Sequence, residues 1–171
     1  MKQFFTLVLC GIFLISITGC SIQGSDQEAS VIFYYLQSEE DYKGHDGIIA
    51  AVEQENLSAS SDVYYLLAFY LNGPADSRYR SPFPAATKII SVKEDNGVIT
   101  VITNSKLASL AGLELTNACA CLALTCMNLM DAQQVSIQYL EGDELIQIMD
   151  LSLEDILLTD QLTYQEDGGI E

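Results

Sequence analysis

Thr87-Lys88-Ile89-Ile90-Ser91-Val92-Lys93-Glu94-Asp95-Asn96-Gly97-Val98-Ile99-Thr100-Val101-Ile102-Thr103 is the stretch that decides the fold. Two β-branched runs, Thr87 to Lys93 and Val98 to Thr103, flank Asp95-Asn96-Gly97. An Asn-Gly pair accepts the positive φ angles that a tight two-residue connection demands, so these runs predict an antiparallel hairpin. A hairpin alone is marginal in water and needs further strands or a helix to cover it. The flanking sequence has to supply that cover.

Upstream, Val63, Leu66, Leu67, Tyr70 and Leu71 recur at i, i+3, i+4, i+7 and i+8, the stripe of an amphipathic helix. Ser58 to Asp62 offers N-cap candidates ahead of it. Asn72-Gly73-Pro74 closes it with a glycine stop followed by proline. Tyr64, Tyr65 and Phe69 widen the apolar face, and burial is expected for them in preference to contact with a partner. Ala75 to Ala86, with Arg78, Arg80, Pro82 and Pro84, reads as an irregular loop. Ahead of the helix, Val31 to Leu36 reads as a strand, Gln37 to Gly47 as a polar loop, and Gly47 to Gln54 as a weaker strand.

Downstream, Ser105 to Gly112 has room for one short helical turn. Leu115, Cys119, Leu122, Cys126 and Leu129 then stack on one face of a second helix, with Asn117, Thr125 and Asn128 away from its centre. Val135, Ile137 and Tyr139 alternate with Ser136 and Gln138 as a strand. Glu141 to Glu144 turns it, and Leu145 to Met149 runs back antiparallel. The order strand, strand, helix, hairpin, helix, strand, strand predicts an α+β fold, two helices packed on one face of a mostly antiparallel sheet.

The N-terminus gives an address. Met1-Lys2 opens an apolar run that ends in Ile17-Thr18-Gly19-Cys20, the pattern of a lipobox at the end of an export signal. The run is too short for a convincing permanent span. Cys20 is therefore the candidate lipidation site, and its acyl chains, palmitate among them, would hold the protein on a membrane without a spanning helix. The chain divides into residues 1–19 as lipoprotein signal peptide, 20–30 as lipidated cysteine and polar tether, 31–150 as the folded domain, and 151–171 as an acidic C-terminal segment.

Charge narrows the partners. The chain holds 24 Asp and Glu against 7 Lys and Arg, a net charge of −17. Lys43, Arg78, Arg80, Lys88, Lys93 and Lys106, the basic residues past the signal, never form a block, so nucleic acid is not an expected partner. The acidic surface reads chiefly as a solubilising one, and no spaced calcium loop accompanies it.

Past Cys10 and Cys20, the remaining cysteines are Cys119, Cys121 and Cys126. Cys119 and Cys126 share a helix face and Cys121 points nearly opposite. Seven residues of helix rise about 10 Å, beyond disulfide reach. His45, the only histidine, sits in the polar loop. The three thiols are read as small buried apolar residues, with metal or redox roles as the lesser alternatives.

From Tyr64 to about Glu144, with the strand at Val31 to Leu36 ahead of it, the chain resembles the GerMN domain, the sporulation and spore germination domain of endospore-forming bacteria. Four segments in order carry the resemblance. They are Leu66-Leu67-Ala68-Phe69-Tyr70-Leu71-Asn72-Gly73-Pro74, Ser81-Pro82-Phe83-Pro84-Ala85-Ala86-Thr87-Lys88-Ile89-Ile90-Ser91-Val92, Gly97-Val98-Ile99-Thr100-Val101 with Ser105 after it, and Ala123-Leu124-Thr125 through Val135-Ser136-Ile137-Gln138. The chain departs from the family at Ala85-Ala86, where a glycine is usual before the threonine, at Ile102, where an acidic residue often sits, and in its cysteine-rich helix.

The resemblance implies a fold like the ring-building motif and a non-enzymatic module on the extracytoplasmic face of the cell membrane. Its expected partners are envelope or sporulation proteins, in homo- or hetero-oligomers. A small ligand-binding or wall-polymer-binding lipoprotein is the alternative, and a cell-wall hydrolase ranks below both, because the carboxylates stand in no recognisable catalytic motif. No catalytic residue, cofactor or metal is expected.

Overall fold

Asn96 and Gly97 both take positive φ, 54° and 80°, and turn the chain tightly between two strands. The computed structural model describes residues 30–38, 48–59 and 61–156. The signal segment, Cys20, most of the tether, residues 39–47 with Lys43 and His45, and residues 157–171 lie outside the described residues.

The hairpin strands are β4 (Ile89–Asp95) and β5 (Val98–Asn104), paired antiparallel with a register shift at Ile90. They belong to a four-stranded sheet of order β4-β5-β6-β7, completed by β6 (Gln134–Glu141) and β7 (Glu144–Ser152). β5 and β6 run parallel, which requires a crossover. Helix α2 (Gly112–Met130) supplies it, after a short 3₁₀ turn at Leu107–Ser109. A second sheet of order β2-β1-β3 is built from β1 (Ser30–Gln37), β2 (Ile49–Ser58) and the two-residue β3 (Tyr79–Arg80).

The α+β class, with two α-helices and mostly antiparallel pairing among the described residues, is the one the sequence predicts. The strands nevertheless divide between two sheets where one was expected. The reason lies in α2, whose residues Ala118 to Met127 are buried on every side. A helix apolar all round needs cover on more than one face, and α2 touches β1 of one sheet and β6 and β7 of the other. It is long and apolar enough to cross a membrane by length and composition, yet it forms the centre of a core that also holds Phe33, Tyr35, Leu67, Ile99, Val101 and Ile137. Thr125, expected off the apolar face, is fully buried.

Helix α1 (Val63–Leu71) begins at Asp62, whose carboxylate accepts from the backbone N–H of Tyr64 at 2.9 Å and of Tyr65 at 3.2 Å. It ends as its sequence predicts, with Gly73 at φ 88° donating to the carbonyl of Tyr70. At the other end of the chain, β7 runs on to Ser152, and a Ser152–Asp155 capping box leads to Ile156, which is buried in the core. The packed domain therefore extends past Asp150, because Leu151 and Ile156 complete its apolar interior.

Candidate interaction surface

What a small sheet domain offers a partner is decided first by its strand edges, whose unpaired N–H and C=O groups template further pairing. β1 is paired with β3 only at Leu36 and Gln37, so its edge lies open at Tyr34. There the helices take over. The N–H of Tyr34 donates to Thr125 Oγ1 at 3.0 Å, and the hydroxyl of Tyr70 donates to the carbonyl of Tyr34 at 2.6 Å. Tyr35 closes the same cluster by donating to the carbonyl of Tyr70 at 3.1 Å. The rings pack tightly, Tyr70 lying 5.0 Å from Tyr35 and 5.1 Å from Phe33 between centroids. Burial pushes the Tyr70 and Tyr35 hydroxyls up in pKa, so both remain neutral donors.

Tyr64, Tyr65 and Phe69, expected to be buried, are instead 43%, 56% and 40% exposed. The stripe of Leu66, Leu67 and Tyr70 suffices to seat α1, which leaves the flanking aromatics at the rim. Tyr64 has a specific task there. Its hydroxyl accepts from the N–H of Val92 at 3.0 Å and donates to the carbonyl of Val92 at 3.4 Å. β4 is the outer strand of its sheet, so this one side chain occupies the backbone groups that a docking strand would use.

The outer edge of β2 is left open among the described residues. Its exposed positions, Ala51, Glu53 and Glu55, alternate with half-buried Val52 and Gln54. Beside it a cleft of about 490 Å³ runs between β2, Phe69 of α1 and the loop around Asp76 and Tyr79. Arg78 is committed to Asp76 through two side-chain bonds, of 2.9 and 2.6 Å. The guanidinium in turn holds the Asp76 carboxyl below the usual carboxylate range. Glu53 and Glu55 carry negative charge at the exposed positions of the same strand.

Cys119, Cys121 and Cys126 are buried free thiols, as the sequence predicts of small apolar residues. Burial pushes Cys119 and Cys126 up to about 12 and raises Cys121 as well. Among the described residues no group of His, Cys, Asp and Glu is placed to hold a metal ion. Cys20, the one site residue read from the sequence, lies outside the described residues.

No protein-family model matches the chain, and no curated protein matches it. Among solved structures it is similar to the tandem GerMN domains of the sporulation protein GerM from Bacillus subtilis, with a TM-score of 0.50 and 20% identity. The described domain has the GerMN fold. The match covers 72% of this chain and 44% of that one, so this chain spans less than half the length of the tandem protein. The resemblance read from the four sequence segments thus agrees with the arrangement of the backbone. Neither the plug made by Tyr64 nor the hydrogen bonds of Thr125 were visible in those segments, since both depend on which strand each helix crosses.

Proposed function

We propose that this chain is a membrane-anchored extracytoplasmic lipoprotein whose GerMN-fold domain docks other proteins in sporulation, spore germination or cell-envelope assembly. The observation that carries the reading is the union, in one chain, of a lipobox ending at Cys20 with a domain of this fold. The similar solved domains come from a protein named for sporulation, which supports the same setting. The role is that of an interaction or scaffold module and not of an enzyme. Lipid on Cys20 keeps the domain at the outer face of the membrane, within reach of partners there.

Two experiments test the reading. Replacing Cys20 by Ala is expected to release the protein to the soluble fraction or to trap an uncleaved precursor. Unchanged fractionation together with unchanged mass overturns the anchor. Deleting the gene and crosslinking the protein in sporulating cells is expected to lower spore yield or germination and to capture an envelope partner. Normal spores with no crosslinked partner overturn the docking role.

A further inference from the structure

We propose that the edge of β2 left open among the described residues, with the cleft beside it, receives an extended basic segment of a partner protein as an added strand. The inference rests on reading the domain as an interaction module and names the surface and the chemistry of its partner.

The outer edges of the described sheets are not equivalent. On β4 the backbone of Val92 is occupied by Tyr64, and the strand is broken by a bulge at Ile90. On β7 the ladder is broken at Ile148, where the register shifts between Ile137 and Gln138 of the facing strand. Bulges of this kind blunt an edge against pairing. On β2 the register is regular from Ile49 to Gln54, opposite Leu36 to Val31. Its irregularity begins after Gln54, where Glu55, Asn56 and Leu57 face no residue of β1 before Ser58 pairs with Ser30.

The direction of the β2 backbone follows from its pairing. The N–H of Gln37 donates to the carbonyl of Ile48, and the backbone of Tyr34 turns away from β2 toward Thr125 and Tyr70. In an antiparallel ladder bonded and non-bonded pairs alternate, so Ala51, which faces Tyr34, points its own N–H and C=O outward. Ile49 and Glu53, two residues to either side, do the same. An incoming strand therefore finds a row of evenly spaced donors and acceptors. Its alternate side chains enter the cleft over Val52 and Gln54, walled by Phe69, and the others lie along Glu53 and Glu55. Main-chain bonds plus pockets for alternate side chains are what strand addition needs.

Charge selects the occupant. Glu53 and Glu55 project at the exposed positions, and the nearby Arg78 is engaged by Asp76. A second copy of this chain brings the same carboxylates and a net charge of −17, and is repelled. A segment alternating Lys or Arg with apolar residues satisfies both faces.

The test uses the full chain in a non-ionic detergent and two fluorescent octapeptides, one alternating Lys with Val and one alternating Glu with Val. Anisotropy is expected to show saturable binding of the Lys peptide, weakened by salt, and none of the Glu peptide. Ala51→Pro removes one outward N–H and is expected to weaken binding at least about tenfold. The pair Glu53→Lys and Glu55→Lys, which alters charge and leaves the backbone donors in place, is expected to do the same. Glu94→Lys beside the hairpin turn shifts net charge by the same amount per residue and is expected to leave binding unchanged. Failure of the Lys peptide to bind, or binding lowered equally by Glu94→Lys, overturns the proposal. So does a dimer of the chain that Ala51→Pro dissolves, which would assign the edge to a second copy. If a partner crosslinks in cells while the Lys peptide fails to bind, this inference falls and the interaction reading stands.

Discussion

The hydroxyl of Tyr70 donates to the carbonyl of Tyr34 across 2.6 Å, and the N–H of that same Tyr34 donates to Thr125. The two bonds fasten one helix from each side to the backbone of Tyr34 on the edge of β1. Bonds that meet at one half-buried residue reinforce one another.

Removing either side chain's hydroxyl leaves a strand group without its partner. Tyr70→Phe and Thr125→Val are each expected to destabilise the domain by about 1–3 kcal/mol, the cost of an unsatisfied buried group. The double variant should cost less than the sum, because the two hydroxyls hold the same strand residue, Tyr34. Urea unfolding followed by circular dichroism measures all three, and wild-type midpoints for both single variants would show that these two bonds carry no stability.

Tyr64→Phe keeps the ring of the side chain and removes only the atom that occupies Val92. Its cost in stability is expected to be modest, about 0.5–1.5 kcal/mol. The larger effect is on association, since the N–H and C=O of Val92 then face solvent on an edge strand. Light scattering at rising protein concentration should show earlier self-association than in the wild type. Identical scattering curves would refute the plug.

Much of this architecture was legible in the sequence because periodicity reports which face of an element is apolar. The Asn96-Gly97 turn, the α1 stripe with its glycine stop and the alternation of Val135, Ile137 and Tyr139 all concern neighbours along the chain. Relations between distant segments were not legible. Nothing local distinguishes one sheet from two, and Thr125 looks like a polar residue off the core face until β1 is laid against it. The rim aromatics Tyr64, Tyr65 and Phe69 misled for the same reason: apolar character argues for burial, but how much of α1 is covered depends on its neighbours. The anchor at Cys20 rests on the chemistry of a short segment, and no packing argument bears on it.

Alkaline pH should unfold the protein through its buried thiols. In the unfolded chain the cysteines ionise near their ordinary value of 9.0, whereas folded Cys119 and Cys126 keep their protons up to about 12. Above pH 9 the unfolded state therefore binds fewer protons than the native one, and stability falls as pH rises through that window. The buried hydroxyls of Tyr35 and Tyr70 steepen the fall above their ordinary value of 10.0. Melting temperatures are expected to drop between about pH 8 and about pH 10.5, and the drop should be shallower when Cys119, Cys121 and Cys126 are all Ala. Equal slopes would show that the thiols are not the titrating groups. In the same samples, iodoacetamide at neutral pH should label these three cysteines only after urea is added.

Ala86 and Gly97 make a matched pair of left-handed positions. Ala86 has φ 65° at the place where the resembled family usually carries glycine, and Gly97 has φ 80° in the hairpin turn. A Cβ in this region meets the neighbouring backbone, a penalty of roughly 1–2 kcal/mol for an ordinary residue. Glycine escapes it but gives up about 0.5–1 kcal/mol through the greater freedom of the unfolded chain. Ala86→Gly should therefore stabilise the domain by up to about 1 kcal/mol, while Gly97→Ala should destabilise it by a similar amount. Beyond its chain neighbours a Cβ at Gly97 would meet nothing within 4 Å, so the second effect arises in the local backbone and not from a contact across the fold. The carbonyl of Ala86 also accepts from the Asn104 side chain at 2.9 Å, which holds the strained residue in place, so Asn104→Ala should lower stability less in the Ala86→Gly background than in the wild type. Denaturant midpoints moving in the same direction for Ala86→Gly and Gly97→Ala would refute the strain at Ala86.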